Sequence, residues 1–168
     1  MKILGYTYHK GVFRFTMKCD SSLLNQKKPF FVPDWSEQID YCRCRVARIC
    51  RLGKCIEARF APRYYDAVAP GLNFRAEDVL KQNWAEGTAF DNSLCVGEFM
   101  ATGEEQMANG EWQMANEDIL AINRAIADVS EKVTLRNGDL VFIDYAEPAR
   151  SVVRNQVLEE DHLYCKIK

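Results

Sequence analysis

Alternating apolar and polar positions predict several β-strands in the N-terminal half of the chain. Residues 3–8 and Val12–Met17 alternate and are rich in aromatic and β-branched side chains, a composition typical of strands. The longest strand is predicted over Ile39–Cys50. One of its faces would carry Cys42, Cys44 and Val46, and the other Tyr41, Arg43 and Arg45.

Three segments are predicted to be helical. Ala61–Ala69 would form a short helix that ends at Pro70-Gly71, and Arg75–Trp84 would form another with acidic residues in its first turn. The third would begin at an Asn116 N-cap and run to about Ser130. Its apolar stripe consists of Ile119, Ile122, Ile126 and Val129. A seven-residue echo before it predicts a turn with Asn109-Gly110 at the tip.

Short strands close the predicted fold. Asn137-Gly138 indicates a tight turn before a buried strand at Leu140–Ile143. Residues 151–158 and 163–167 are predicted as two closing strands. Strands and helices do not alternate regularly, so we expect an α+β protein with a mixed sheet and a few short helices.

Composition fits one globular domain. The chain has 168 residues, of which 48% are hydrophobic and 27% are charged, so it can bury a core without disulfides or metals. We expect a cytoplasmic protein, because the sequence shows no signal peptide and no run of about 18 apolar residues that could cross a membrane. The net charge of −2 excludes global attraction to polyanions.

Seven cysteines and two histidines are the main chemical candidates. The cysteine count is odd and there is no CxxC motif, which indicates reduced thiols. Cys42 and Cys44 could be half of a soft-metal site, although we favour small buried side chains, since His9 and His162 are distant in sequence. The sequence contains no GxGxxG, P-loop, HExxH or GxSxG motif.

Charge is distributed unevenly along the chain. Residues 43–63 hold seven basic side chains against one acidic, and residues 77–118 are strongly acidic. Two solvated faces, which could meet in a dimer, are the favoured interpretation. An arginine-rich surface for an anionic ligand or nucleic acid is the alternative.

A collinear series of short motifs resembles the fumarylacetoacetate hydrolase family. The motifs cover about residues 20–168 and include the following segments: Lys28-Pro-Phe-Phe-Val-Pro-Asp-Trp-Ser36, Leu52-Gly-Lys54, Gly71-Leu-Asn-Phe74, Ala89-Phe-Asp-Asn-Ser93, Asn109-Gly-Glu111 and Thr134-Leu-Arg-Asn-Gly-Asp-Leu-Val-Phe142. The resemblance implies one domain spanning 1–168 with a partly rolled mixed sheet and a reduced N-terminal lid at about 1–20. It also implies a homodimer.

The family's chemistry does not transfer residue by residue. Its enzymes act on 2-oxo and β-diketo acids with Mg²⁺ or Mn²⁺ held by three carboxylates, and those positions match Cys42, Cys44 and Asn73 here. Two thiols and an amide are poor ligands for a hard cation, so we expect no magnesium or manganese, with zinc at the thiols as the alternative. The family's lysine falls on Thr88. Asp78, Thr88 and Asp91 are the candidate catalytic residues.

Three functional hypotheses follow. The first is a non-catalytic family member that binds a ligand or serves as the partner of an active paralogue. The second is an enzyme that acts on a small 2-oxo acid without metal, with Asp78, Asp91 and Arg48 as its charged groups, or through a reactive thiol at Cys42 or Cys44. Arg43, Arg45 and Arg48 are adjacent to these thiols in sequence. The third is binding of an anionic ligand through the arginine-rich segment, although nucleic acid fits the acidic total poorly.

Overall fold

A computed structural model describes residues 1–25, 28–102, 114–160 and 162–168. Within them the strands are β1 (Ile3–His9), β2 (Val12–Lys18), β3 (Leu23–Asn25), β4 (Ile39–Ile49), β5 (Tyr65–Ala76), β6 (Leu94–Val96), β7 (Met100–Ala101), β8 (Leu140–Asp144), β9 (Arg150–Ser151), β10 (Val157–Glu160) and β11 (Leu163–Lys166). The α-helices are α1 (Glu77–Leu80), α2 (Trp84–Thr88) and α3 (Asn116–Lys132). None of the described helices is long and apolar enough to span a membrane.

Nine of the described strands form one mixed sheet. Its central order is β2-β1-β8-β4-β5-β6-β3, with β7 paired to β5 and β9 paired to β4. β1 runs parallel to β8, whereas β4 is antiparallel to both β8 and β5. β10 and β11 form a separate hairpin. This architecture confirms the α+β prediction of a mixed sheet with few short helices.

The predicted alternation of β4 places two cores on opposite sides of the sheet. Cys44 and Val46 are buried with Ile3, Leu94 and Phe142 on one side. Ala47 and Ile49 pack on the other side against α3, whose fully buried stripe is Ile122, Ile126 and Val129. The α3 stripe therefore forms as its spacing predicts, although Ile119 is only half-buried.

Two predicted helices are wrong. Residues 58–63 form a 3₁₀ turn, and the strand β5 replaces the rest of the helix predicted over Ala61–Ala69. Pro70 is tolerated inside β5 because it lies between the segments that pair with β7 and β6. The helix predicted over Arg75–Trp84 is two short helices, since its first two residues belong to β5 and Asn83 caps α2 separately.

Smaller differences concern helix and strand ends. The N-cap of α3 is Ala115 rather than Asn116, and the predicted strand over 151–158 is interrupted by a turn between β9 and β10. The turn predicted at Asn109-Gly110 and the family motif at 109–111 lie outside the described residues. Residues 1–20, the predicted reduced lid, include the β1–β2 hairpin at one edge of the sheet.

The strand β2 buries its polar face and exposes its apolar face. Thr16 and Lys18 are 1% and 2% exposed, whereas Phe13 and Met17 are 44% and 53% exposed. Successive side chains of a strand point to opposite faces, so a strand that buries Thr16 and Lys18 places Phe13 and Met17 on the other face. The interior next to β2 is therefore polar.

We predict that Gly5→Ala destabilises the fold more than Gly138→Ala. A Cβ atom at Gly5 would lie 2.0 Å from the carbonyl oxygen of Phe142 in the neighbouring strand. We expect the free energy of unfolding to fall by about 3 kcal/mol, as in overpacked cores. The control, Gly138, has φ +89° and open space around it, so alanine there should cost only about 1–2 kcal/mol. Urea denaturation measures both; equal losses would contradict the close approach.

Candidate functional site

The three positions that match the family's metal ligands lie together in the sheet. Cys42 and Asn73 are direct partners across β4 and β5. Cys44 lies two residues further along β4 and is the partner of Asp144 in β8. All four residues are at most 1% exposed. The structure thus brings the sequence-derived positions into one buried cluster and adds a carboxylate to it.

Asp144 is held at the centre of this cluster. Its Oδ2 accepts a hydrogen bond of 3.0 Å from the backbone N–H of Tyr8. The Asn73 Nδ2 donates to both of its oxygens, at 3.0 and 3.2 Å, and also to Thr7 Oγ1 at 3.0 Å. Burial raises the pKa of Asp144 to about 7, although these hydrogen bonds and the nearby charges of Arg75 and Lys18 oppose the rise.

Lys18 supplies a buried ammonium group from β2. Its Nζ donates to the carbonyl oxygen of Thr88 and, at 2.8 Å, to Ser93 Oγ, with the Ser93 carbonyl oxygen at 3.4 Å. Desolvation lowers the pKa of Lys18 to about 7, while the charge of Asp144 acts in the opposite direction. The lysine and the aspartate each influence the ionisation of the other.

Arg75 connects the buried cluster to a histidine–carboxylate pair nearer the surface. Its guanidinium donates to the carbonyl oxygen of Tyr8 at 2.5 Å, and its Nε lies 3.4 Å from Glu77 Oε2. The other oxygen of Glu77 lies 2.8 Å from His9 Nε2. The side chains of His9 and Glu77 are 12% and 17% exposed, so this pair lies between the interior and solvent.

The cysteine thiols in the cluster are poorly suited to act as nucleophiles. Burial raises the pKa of Cys42 to about 12 and that of Cys44 well above its usual range, and the charge of Asp144 adds to both shifts. The positive charges of Lys18 and Arg45 oppose the rise at Cys44, and that of Arg75 opposes it at Cys42, but burial outweighs them. A reactive thiolate at this position, one form of the second hypothesis, is therefore not supported.

The donors in the cluster do not fit Mg²⁺ or Mn²⁺. A hard divalent cation needs several anionic oxygens, and Asp144 is the only carboxylate among these residues. Asn73 presents its amide nitrogen to that carboxylate, and its Oδ1 has no hydrogen-bond partner in the described part of the chain. Lys18 and Arg75 already place positive charge beside Asp144, which would repel a further cation.

The predicted catalytic residues are scattered. Thr88 reaches the cluster only through its backbone oxygen, since its hydroxyl donates to the Trp84 carbonyl at 2.8 Å. Asp78 accepts hydrogen bonds from Ser36 Oγ at 2.6 Å and from the Glu37 N–H at 3.0 Å. The carboxylate of Asp91 is exposed and bonds to Ser21. The hydrogen bonds of the two aspartates thus lead away from the cluster.

Sequence reasoning missed Lys18, Asp144 and Arg75. The signal for Asp144 is its position immediately after the apolar strand predicted over Leu140–Ile143. The signal for Lys18 is weaker, because the alternation of β2 is compatible with either face pointing inward. His9 is distant in sequence from the other site residues, yet the fold places it against Glu77 with its side chain only 12% exposed.

Several basic side chains of residues 43–63 form ion pairs with carboxylates. Ion pairs join Arg43 to Glu147, Arg45 to Asp118, Arg48 to Asp66 and Arg59 to Glu57. The Arg45 pair links the basic segment to the acidic one, so these charges compensate each other within one chain. Intramolecular pairing leaves less positive charge for an anionic partner than the sequence suggests.

Comparison with known proteins shows which solved structures share this architecture. No family model and no curated protein matches the sequence. Solved structures do match: fumarylpyruvate hydrolase from Pseudomonas aeruginosa, in complex with Mn²⁺ and pyruvate, has a TM-score of 0.76 and 20% identity, with 99% of this chain and 88% of that chain covered. A protein from Yersinia pestis assigned to the fumarylacetoacetate hydrolase family has a TM-score of 0.78 and 17% identity, covering 99% and 91%.

A third match is 5-carboxymethyl-2-hydroxymuconate delta-isomerase from Mycobacterium smegmatis, with a TM-score of 0.78 and 16% identity over 99% of this chain and 77% of that chain. The protein therefore has the fold of the fumarylacetoacetate hydrolase family, which confirms the resemblance at the level of structure. At these identities the likeness describes the fold, and activity has to be argued from the site.

We predict that Lys18 and Asp144 are energetically coupled. Lys18→Met should lower the free energy of unfolding by about 3–5 kcal/mol, because it leaves Asp144 with less compensating charge. Adding Asp144→Asn should recover part of that loss. The control Lys2→Met breaks a more exposed pair with Asp139 and should cost about 0–1 kcal/mol. Additive losses in a double-mutant cycle would show that the two buried charges do not interact.

The same pair predicts a pH dependence. The pKa of Asp144 rises from 3.8 to about 7 on folding, so the fold loses stability as the pH increases through that window. The pKa of Lys18 falls from 10.5 to about 7, so the fold regains stability as the pH increases further. Relative to the Lys18→Met/Asp144→Asn double variant, the protein should be least stable near pH 7. Denaturation between pH 4 and 10 measures the difference in free energy of unfolding between the protein and the double variant. This difference should change with pH.

Proposed function

We propose that this protein is a fumarylacetoacetate hydrolase-fold subunit without metal-dependent catalysis. In this proposal it acts as a binding protein or as the partner of an active paralogue. The observation that carries the proposal is that Lys18, Arg75 and Asp144 are buried beside Cys42, Cys44 and Asn73, the positions that match the family's ligands. A lysine ammonium and an arginine guanidinium supply the positive charge that a divalent cation would otherwise bring.

The donor set supports this interpretation more strongly than the loss of carboxylates alone. Protonated thiols at Cys42 and Cys44 carry no charge, so the cluster around them does not need a cation for neutrality. Every polar hydrogen of the Asn73 amide points toward a protein oxygen, on Asp144 or Thr7. A metal would have to displace these interactions before it could bind.

The rest of the chain retains the scaffold. The chain keeps the fold of the family's solved structures, while the positions that match the family's ligands carry two thiols and an amide. We therefore propose no resident cofactor, and we keep zinc at the two thiols as the less favoured alternative. The single-domain organisation over 1–168 is part of the same proposal.

We predict that the purified protein does not bind Mg²⁺ or Mn²⁺. Elemental analysis by ICP-MS should find less than about one tenth of an equivalent, since the cluster offers one carboxylate instead of three. Millimolar Mn²⁺ with pyruvate should leave the melting temperature unchanged, because a ligand that binds neither state does not shift stability. Fumarylpyruvate hydrolase from Pseudomonas aeruginosa is the positive control. Stoichiometric metal or a clear stabilisation would refute the proposal.

A metal-free enzyme is the second candidate, and the His9–Glu77 pair favours it. Glu77 can orient the imidazole through the 2.8 Å contact at His9 Nε2, as a carboxylate does for a general base. In such an enzyme His9 would remove a proton from the carbon next to the carbonyl of a 2-oxo acid. The C–H electrons would form the enolate, and return of a solvent proton would complete the isomerisation or exchange.

The second candidate predicts that His9 catalyses proton exchange. In D₂O, pyruvate should lose its methyl proton signal faster with the protein than in buffer, and His9→Gln should reduce that rate by about 10²-fold or more. Proton NMR measures the exchange. His162→Gln is the control, because His162 lies far from this pair beside Glu98. Exchange no faster than in buffer would reject this candidate and leave the first standing.

A further inference from the structure

A cavity of about 540 Å³ lies between α3 and the sheet, next to the β1–β2 hairpin. Its floor comes from three adjacent strands, because Tyr6 of β1 is the partner of Ile143 in β8, and Ile143 is the partner of Arg45 in β4. Cross-strand partners share a face of the sheet, so these side chains all lie on the side of α3. A volume of about 300–1,000 Å³ is typical of a site for a small molecule.

The cavity opens on the other side of the sheet from the buried cysteine cluster. Tyr6 and Ile143 pack against the core that contains α3, whereas Cys44 belongs to the core on the opposite side. Asp144 contributes to one end of the cavity, but its carboxylate accepts from the amide of Asn73, on the side of the cluster. The cavity is therefore distinct from the positions that match the family's ligands.

One flank of α3 forms the wall that faces this floor. The wall residues recur at helical spacing and share one face of the helix: Ala121, Arg124, Ala125 and Asp128. The two alanines leave space that larger side chains would fill. Arg124 and Asp128 are exposed, so their charged groups stand where the cavity meets solvent.

The charges at the mouth of the cavity are one free cation and one free anion. In the described part of the chain, neither the guanidinium of Arg124 nor the carboxylate of Asp128 has an ion-pair partner. Lys132 reaches only the backbone oxygen of Asp128, at 3.0 Å. The third charged wall residue, Arg45, is already paired with Asp118. A ligand with one positive and one negative group would complement what remains.

The interior of the cavity offers apolar and aromatic contacts. Tyr6, Phe13 and Ile143 line it. Phe13 is 44% exposed and packs against Tyr8, whose ring centroid is 5.0 Å away. An aromatic ring that is already ordered loses little conformational entropy when a ligand covers it. The cavity thus combines an apolar interior with two opposite charges at its mouth.

We propose that this cavity binds a free α-amino acid with an apolar side chain, such as phenylalanine. Arg124 holds the α-carboxylate and Asp128 holds the α-ammonium, while the side chain of the ligand lies against Tyr6, Phe13 and Ile143. Both charged groups of an amino acid are attached to the same carbon, and two side chains one helical turn apart can reach them together. A simple carboxylate would leave Asp128 without a partner. This inference does not depend on the metal chemistry of the other site.

Isothermal titration calorimetry on the full chain tests the proposal with L-phenylalanine as the probe. We expect saturable binding with a Kd of about 1 mM or tighter. 3-Phenylpropionate lacks the ammonium and phenylalaninamide lacks the carboxylate. Each should bind about tenfold more weakly, because one charged group of the site stays unpaired. Glycine lacks the apolar side chain and should also bind about tenfold more weakly.

Variants of the wall residues test the same contacts. Arg124→Gln and Asp128→Asn should each raise the Kd for L-phenylalanine about tenfold, and both should fold because neither side chain is buried. Ala121→Leu should abolish binding, since the larger side chain fills the cavity. Arg59→Gln and Glu57→Gln are the matched controls, because this exposed pair lies outside the cavity, and they should leave the Kd unchanged.

Each result decides the proposal. An absence of saturable binding of L-phenylalanine, or equal binding of the three aromatic compounds, would overturn it. Binding that Arg124→Gln, Asp128→Asn and Ala121→Leu leave unchanged would place the amino acid elsewhere and would overturn it as well. Circular dichroism melts of every variant separate a loss of binding from a loss of folding. His9→Gln, which tests the enzymatic candidate, should not alter this Kd, so the failure of one proposal is distinguishable from the failure of the other.

Discussion

The structure depends on how it accommodates opposite charges inside the sheet. Asp144 and Lys18 are both almost fully buried, where an isolated charge is far more costly than a paired one, and the charge of each opposes the pKa shift that burial causes in the other. Their partners come from four strands: β1 provides a backbone N–H, β2 the lysine, β5 the amide and arginine, and β8 the aspartate. The polar cluster therefore constrains the relative placement of these strands as strongly as the apolar cores do.

Much of the fold was predictable from alternation and turn chemistry. β1, β2, β4 and β8 appear where the pattern indicates, because each has one consistently buried face. The failures have a common cause, which is tertiary pairing that overrides local propensity. Pro70 and Gly71 are typical helix breakers, and the sequence therefore predicts a helix that ends at them. In the structure both lie inside β5, because β4 pairs along this whole segment. A Cβ at Gly71 would lie 2.8 Å from the thiol of Cys44, so the two strands approach closely there. Nothing in residues 61–76 alone reveals that constraint.

The candidate site was predictable in position but not in chemistry. Collinear motifs located Cys42, Cys44 and Asn73, and the sheet brings them together. They could not reveal which groups replace the lost carboxylates, because Lys18 and Asp144 are 126 residues apart and meet only through the pairing of β1 with β8. A lysine at the end of an exposed edge strand looks like an ordinary surface residue until the sheet order shows that the ends of β2, α2 and the segment before β6 converge around it.

The buried Lys18 and the exposed Phe13 and Met17 both follow from the orientation of β2. Side chains of a β-strand alternate, so a strand that buries Thr16 and Lys18 on one face places Phe13, Phe15 and Met17 on the other, where Phe13 and Met17 are exposed and Phe15 packs against the α3 core. A one-residue shift would place the aromatic side chains inside but leave Asp144 without the lysine. The hydrogen bonds of Lys18 to Thr88 and Ser93 fit this register of β2, and the same register leaves Phe13 and Met17 exposed. In this protein a constraint on the buried site also determines which side chains β2 exposes.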